Sequence, residues 1–255
     1  MNLSNTTLCS LSIYYQNVRG LRTKTHDFFC NLSRTRYDLI ILTETWLNCG
    51  ILSTELFDDN YVVFRRDREE SRTMTKKEGG GVLIAVSKSI RSKRQFSFET
   101  DNEDLWVTID LGTPLKPFFI AFCAVYLPPP VLRSTLQTFI DNVSNINEQN
   151  TCHKCIVGDF NLSNINWELE KKFDAYYTSP LNNDFLDFLN LNNFQQHNHI
   201  VNSMNRTLDL VLLNFPFPCI VSRAVDILST LDSLHPPLNI SINFSCETRM
   251  PYNKQ

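Results

Sequence analysis

The sequence predicts an α/β fold: a four-layer arrangement in which a two-sheet β-sandwich is flanked by helices. Three observations point there. Short apolar or alternating runs recur along the 255 residues and outnumber the convincing helices. Strands and helices are mixed in order, which suits a sheet-on-sheet core covered by helices better than a doubly wound parallel sheet. The 42% hydrophobic content is enough for one large core. A single domain is expected over residues 11–245, with flexible termini at 1–10 and 246–255.

The first strand is expected at 11–15, followed by a helix over 26–34 and a strand at 39–42. Strands follow at 61–64 and 82–86. The stretch 65–81 between them is polar and closes on Gly79-Gly80-Gly81, the composition of an exposed loop feeding a strand. The triple glycine lacks the GxGxxG or GxxxxGK spacing and is no sign of a nucleotide site. Strands at 105–109 and 118–126 lead to three prolines, after which a helix over 132–147 begins. A short strand at 156–157 and a helix over 181–190, with Phe185, Leu186 and Leu189 on one face, come next. Strands at 208–213 and 238–244 complete the set, and 246–255 reads as a frayed tail.

Composition excludes several classes. The longest apolar stretch, 118–127, is about half a bilayer span, so no membrane association is expected. The N-terminus has neither a basic nor an apolar leader region. An intracellular protein is therefore expected, acting in the nucleus if DNA is its substrate. In that setting the eight cysteines read as buried hydrophobes or inert thiols, and no disulfide is expected. Cys152-His153-Lys154-Cys155 is one CxxC without a second pair, a weak pattern for metal or redox work. The net charge of −3 argues against a nonspecific nucleic-acid coat. Residues 65–94 nevertheless hold ten Lys/Arg against four Asp/Glu. That excess suits a solvated loop and a phosphate-tracking surface equally well.

Polar residues at strand ends are the informative features, because burying a carboxylate or amide there is costly without a use for it. Asn17 lies in Gln16-Asn17-Val18-Arg19-Gly20 after the first strand. Glu44 lies in Thr43-Glu44-Thr45-Trp46, following the apolar run Leu39 to Leu42. Asp159 and Asn161, in Gly158-Asp159-Phe160-Asn161, can point from one side of an extended segment into a common pocket. Asp209 opens an apolar strand, and His235 stands between Leu234 and two prolines. Taken singly, each has a bland reading: a turn residue, an exposed acid, an Asx turn or a satisfied structural histidine. Their joint occurrence and order carry the case.

The chain resembles the apurinic-endonuclease-like branch of the endonuclease/exonuclease/phosphatase superfamily, as found in non-LTR (LINE-type) retrotransposons. Over about residues 11–245, the resemblance rests on Gln16-Asn17-Val18-Arg19-Gly20-Leu21, Leu42-Thr43-Glu44-Thr45-Trp46-Leu47, Gly79-Gly80-Gly81-Val82 and Val125-Tyr126-Leu127-Pro128-Pro129. It continues through Gly158-Asp159-Phe160-Asn161, Ile165-Asn166-Trp167, Gln196-His197-Asn198, Arg206-Thr207-Leu208-Asp209-Leu210-Val211-Leu212 and His235-Pro236-Pro237-Leu238.

The resemblance implies an endonuclease that nicks double-stranded DNA with a Mg²⁺ or Mn²⁺ ion held by Glu44 with help from Asn17. Tyr126 and Thr207 would contact the scissile phosphate, with Asn198 and Arg19 as further phosphate or DNA contacts. Asp159 would orient or deprotonate the attacking water and Asn161 would position it, while His235, paired with Asp209, would stabilise the phosphate charge. A reverse transcriptase domain, absent from this chain, would be the partner that uses the nick. Where the family usually ends in Ser-Asp-His, this chain reads Ser233-Leu234-His235, and leucine can bind neither metal nor proton. Asp232 is the candidate substitute ligand. A catalytically impaired DNA-binding remnant and a phosphatase of the same superfamily are the competing readings.

Overall fold

The computed structural model describes residues 6–68, 79–113, 117–149, 152–163, 165, 167 and 179–247. Among the described residues, twelve strands and three α-helices follow in the order β1 (Thr6–Asn17), α1 (Thr25–Leu32), β2 (Leu39–Thr43), β3 (Tyr61–Arg66), β4 (Val82–Ser87), β5 (Arg91–Arg94), β6 (Glu103–Asp110), β7 (Phe119–Tyr126), α2 (Arg133–Gln149), β8 (His153–Asp159), α3 (Pro180–Leu191), β9 (Gln195–Gln196), β10 (Asp209–Leu213), β11 (Cys219–Arg223) and β12 (Leu238–Glu247). The first sheet runs β11-β12-β1-β2-β4-β3 and the second β5-β6-β7-β8-β10-β9.

Alternation of side chains along each strand builds the layers. On β1 and β2, Leu11, Ile13, Tyr15, Leu39 and Ile41 turn inward and meet Val107, Phe122, Val157 and Val211 of the second sheet. Their neighbours Tyr14, Ile40 and Leu42 turn outward onto Phe28 and Leu32 of α1. The outward residues of the second sheet, among them Cys123, Val125, Ile156 and Leu212, pack on Leu136, Phe139 and Val143 of α2 and on Phe185 and Leu189 of α3. Both faces of both sheets are covered, which is the expected four-layer sandwich. It also explains why the central strands read as continuous apolar runs. Helix α3 starts where Ser179 accepts a hydrogen bond from the Asn182 N–H at 3.3 Å, with Pro180 in the first turn. No described helix is long and apolar enough to cross a membrane.

All nine anticipated strands and all three helices are present. The strands not anticipated, β5, β9 and β11, are edge strands of mixed or full exposure, so no buried face imposed a hydrophobic alternation on them. The chain ends also differ from expectation. Strand β1 begins at Thr6 and pairs antiparallel with β12 as far as Glu247, so residues 6–10 and 246–247 belong to the first sheet. Contrary to the expectation of no bridge, Cys9 on β1 is disulfide-bonded. A bridge requires two cysteines close in space, and a local reading of cysteine spacing does not contain that proximity. Cys152 and Cys155 are free thiols, as are Cys30, Cys49, Cys123 and Cys219.

Register places the functional edge. Asn17 is opposite Thr43 in the parallel β1/β2 pair, Tyr126 is opposite Asp159 in the parallel β7/β8 pair, and Asp159 is opposite Asp209 in the antiparallel β8/β10 pair. The C-terminal ends of four strands and the start of a fifth thus collect at one rim of the sandwich. Gly158 permits the close β7/β8 approach: a Cβ there would stand 1.9 Å from the Val125 carbonyl oxygen.

Candidate active site

Asp159 is at the centre. It is almost fully buried at 1% exposure, yet its surroundings at the strand ends are polar. Its Oδ2 accepts a hydrogen bond from Asn17 Nδ2 at 3.0 Å and its Oδ1 accepts one from the Asn161 N–H at 3.1 Å. The left-handed backbone of Asn161 (φ 51°) turns that N–H back toward the carboxylate, while its side-chain amide donates to the Leu127 carbonyl at 3.0 Å. Burial raises the proton affinity of Asp159, the negative charge of Asp209 raises it further, and His235 opposes both.

Asp209 and His235 form the adjoining pair. His235 Nδ1 is 2.9 Å from Asp209 Oδ2, and its Nε2 faces Asp159 Oδ2 at 3.9 Å. The second Asp209 oxygen accepts the Tyr15 hydroxyl at 2.6 Å, which reaches across from the other sheet. Burial by itself would lower the imidazole pKa. Asp209 outweighs burial through charge and hydrogen bonding, with Asp159 and Asp232 adding to it, and His235 is pushed up to about 9. Burial and the neighbouring carboxylates push the Tyr15 phenol well up, so it stays a neutral donor.

Glu44 enters from the end of β2 with a left-handed backbone (φ 52°). The indole Nε1 of Trp46 donates to its Oε2 at 3.0 Å, and the Trp46 ring lies so close over Gly20 that a Cβ there would be 2.7 Å away. Tyr126, buried at the end of β7, is hydrogen-bonded to the same carboxylate. Burial first and Glu44 second hold its phenol protonated, and Asp159 adds to the effect. The Arg68 guanidinium lies 5.9 Å from the Tyr126 ring centroid and pairs with Glu103. Glu103 in turn accepts the Gly81 N–H.

Asn17, Glu44, Tyr126, Asp159, Asn161, Asp209 and His235 therefore share one rim. Thr207 is buried two residues before Asp209. Asn198 is placed differently from a DNA contact. It is buried, donates to the Asp209 carbonyl at 2.7 Å and accepts the Ile200 N–H at 2.9 Å, so it anchors the start of β10. Asp232 stays outside the Asp159/Asp209/His235 group, whose ligand-type atoms lie within 4.8 Å of one another. One of its oxygens accepts the Leu234 N–H at 2.8 Å, and the other pairs with Arg19 at 2.9 Å. Arg19, half exposed, is thus tied to Asp232 at the mouth.

The basic stretch is largely neutralised where it is described. Arg65 pairs with Asp67, Arg66 with Asp104, Arg68 with Glu103, Arg91 with Asp110 and Arg94 with Glu99. Lys76, Lys77 and Asn166 lie outside the described residues. Tyr15 and Glu103 were not anticipated. Tyr15 sits on the inward, core-facing side of β1, and only the packing of the two sheets reveals its hydroxyl as a partner for Asp209.

Two acids and a histidine in close array are a possible metal cage by geometry alone. Here, however, both Asp209 oxygens are occupied by Tyr15 and His235, and the raised His235 pKa favours a proton over a metal on the imidazole. The trio can hold a proton between its acids and the imidazole. Glu44, whose carboxylate accepts from Trp46 and Tyr126, and the side-chain oxygen of Asn17, which accepts the Arg19 N–H at 3.2 Å, are hard oxygen donors of the type that suits a divalent cation retaining its waters, and each oxygen keeps a lone pair for it.

The endonuclease/exonuclease/phosphatase family model matches residues 15–224. Among solved structures, the endonuclease domain of TRAS1, a telomere-specific non-LTR retrotransposon, is similar at 11% identity and a TM-score of 0.63, covering 92% of this chain and 98% of that one. AP endonuclease LMAP from Leishmania major is similar at 13% identity and 0.66, covering 92% and 88%. The APE2 catalytic domain of Xenopus laevis is similar at 14% identity and 0.61, covering 94% of each chain. No curated protein matches the sequence. At these identities the structures speak for the fold, while the family model spans most of the sequence and six of the seven rim residues, His235 lying beyond its end. The chain belongs to the endonuclease/exonuclease/phosphatase family.

Proposed function

We propose that this chain is a Mg²⁺- or Mn²⁺-dependent endonuclease that nicks double-stranded DNA by phosphodiester hydrolysis, as in non-LTR retrotransposon integration. The observation that carries the reading is the Asp159/His235/Asp209 cluster beside Glu44 and Tyr126 on one rim. Similarity to the TRAS1 domain and to AP endonucleases supports DNA as the substrate. A divalent ion held by Glu44 and Asn17 would supply charge neutralisation for the phosphate.

In this reading Asp159 accepts a proton from water as the water oxygen bonds to phosphorus and the P–O3′ bond breaks. Its raised proton affinity makes the ionised form a strong base. Asn17 and the Asn161 N–H hold its two oxygens in place. Protonated His235, backed by Asp209, stabilises the added negative charge through Nε2, and the Tyr126 phenol, whose one O–H is held by Glu44 in the free site, would turn to donate it to a phosphate oxygen once that carboxylate binds the ion. The leaving O3′ takes a proton from solvent water, and the resulting 3′-hydroxyl would serve a reverse transcriptase carried outside this chain.

The test is plasmid nicking with and without Mg²⁺ by wild type, Glu44→Gln and Asp159→Ala. Metal-dependent nicking by wild type that both variants lose is the expected result; nicking that survives Glu44→Gln refutes the metal assignment. One observation favours an impaired remnant instead: Asp232, the candidate substitute for the missing family carboxylate, is already engaged by Arg19 and the Leu234 N–H. That reading holds if only Leu234→Asp nicks.

A further inference from the structure

A cavity of about 400 Å³ opens beside the catalytic rim, and the proposed function does not use it. Strand order fixes its position. Glu103, on its lip, is opposite Tyr126 in the β6/β7 pair, and Tyr126 is opposite Asp159 in the β7/β8 pair. The lip is therefore two strand spacings, roughly 10 Å, from the base at the centre of the site. That is on the scale of one to two nucleotides along a strand whose phosphate lies at Asp159. Pro128, just beyond Tyr126, also lines the cavity.

The charges argue against a phosphate as the occupant. Arg66, Arg68 and Arg94 line the cavity, but each is paired with an acid, and the lining adds Asp67 and Asp101. With four acids to three arginines, the wall does not attract an anion. What it exposes is aromatic. Phe96 is 71% exposed on the short turn Phe96–Phe98, while Phe98 turns inward to Trp106 at 5.8 Å. The Arg94 guanidinium, clamped by both Glu99 oxygens at 2.7 and 2.9 Å, lies 4.4 Å from the Phe96 ring centroid. A fixed cation thus braces the ring. At the edge, Asn102 is committed to the Thr135 carbonyl at 3.0 Å, whereas the exposed Asp101 carboxylate makes no hydrogen bond to another described residue.

A flat, uncharged π surface with N–H donors on its edge satisfies all of these features: stacking on Phe96 and donation to Asp101. We infer that the cavity is a subsite for one unpaired nucleobase flanking the nicked phosphate, with Phe96 as the stacking platform and Asp101 as the acceptor for the base's amino edge. This inference rests on the nuclease reading of the rim. It adds a substrate preference, because a paired and stacked base cannot lie on a side chain. Substrates already unpaired next to the nick are favoured.

The experiment measures binding of fluorescein-labelled DNA without added metal, so that no turnover intervenes. One duplex is fully paired, and a second of the same sequence carries a short unpaired tail. Wild type should bind the tailed duplex more tightly. Phe96→Ala should weaken that binding roughly five- to a hundredfold while leaving the paired duplex unchanged, and Phe96→Tyr should restore it. Asp101→Asn should alter the preference among tail bases. Equal binding of the tailed duplex by Phe96→Ala and wild type overturns the subsite, as does equal loss on both duplexes. If wild type binds neither duplex, the DNA-nuclease reading itself falls and this inference falls with it.

Discussion

Replacing Asp209 by asparagine removes one charge and little volume, and the consequence for His235 can be worked from the structure. The imidazole is 4% exposed, so solvent screens its neighbours weakly. Burial lowers its pKa, and Asp209 is the largest influence raising it. The rise from 6.5 to about 9 corresponds to about 3 kcal/mol in favour of the protonated ring. Without Asp209, burial regains the upper hand and the ring should titrate near or below 6.5. At pH 7.5 the protonated fraction then falls from nearly all to roughly a tenth.

The sign for stability follows from the same shift. A raised folded-state pKa gives stability that is full below about 6.5 and is lost as pH rises through about 9, so Asp209→Asn should destabilise the fold most below pH 6.5. Asp159 moves the same way in pKa, because Asp209 is the second cause of its elevation after burial. Both limbs of the nicking pH profile should therefore shift to lower pH, the alkaline one by about two units. Imidazole NMR titration together with nicking rates against pH provides the assay. A variant whose His235 still titrates near 9 would refute the electrostatic account.

Other perturbations have equally direct outcomes. Asp159→Ala should slow nicking by roughly 10²- to 10⁴-fold with the fold intact by circular dichroism, as for loss of a general base; a near-normal rate removes Asp159 from that role. Trp46→Phe deletes the indole N–H that holds Glu44, so Mn²⁺ affinity measured calorimetrically should fall several-fold without turnover, and unchanged affinity would show that the contact is incidental. Leu234→Asp should tighten Mg²⁺ binding, while Asp232→Ala should change it little because Asp232 is held by Arg19; the reverse order would assign Asp232 to the metal. Gly158→Ala should lower stability by about 3 kcal/mol or more, read as a drop in the denaturation midpoint, because backbone rather than a movable side chain blocks the new Cβ.

Much of the fold was legible in local pattern. A strand buried on both faces must be continuously apolar, and a helix must bury a stripe, so β2, β4, β7, β8 and the helices α2 and α3 declared themselves. The site was legible for a related reason. Asn17, Glu44, Asp159 and Asp209 interrupt apolar runs at strand ends, where an unpaired polar group is expensive.

What the chain does not carry locally is who meets whom. Tyr15 reads as one more inward aromatic of β1 until the second sheet brings Asp209 within 2.6 Å of its hydroxyl. Asn198 reads, by resemblance, as a phosphate or DNA contact, but its amide holds the Asp209 carbonyl, and Asp232 reads as a substitute ligand, but Arg19 is paired with it. The edge strands β5, β9 and β11 and the bridge at Cys9 follow the same rule. The sequence by itself determined which residues are apolar, which are polar and in what order they come. Only the tertiary structure decided their partners, because a contact between residues nearly two hundred positions apart depends on sheet register and layer packing, and neither is a local property of the chain.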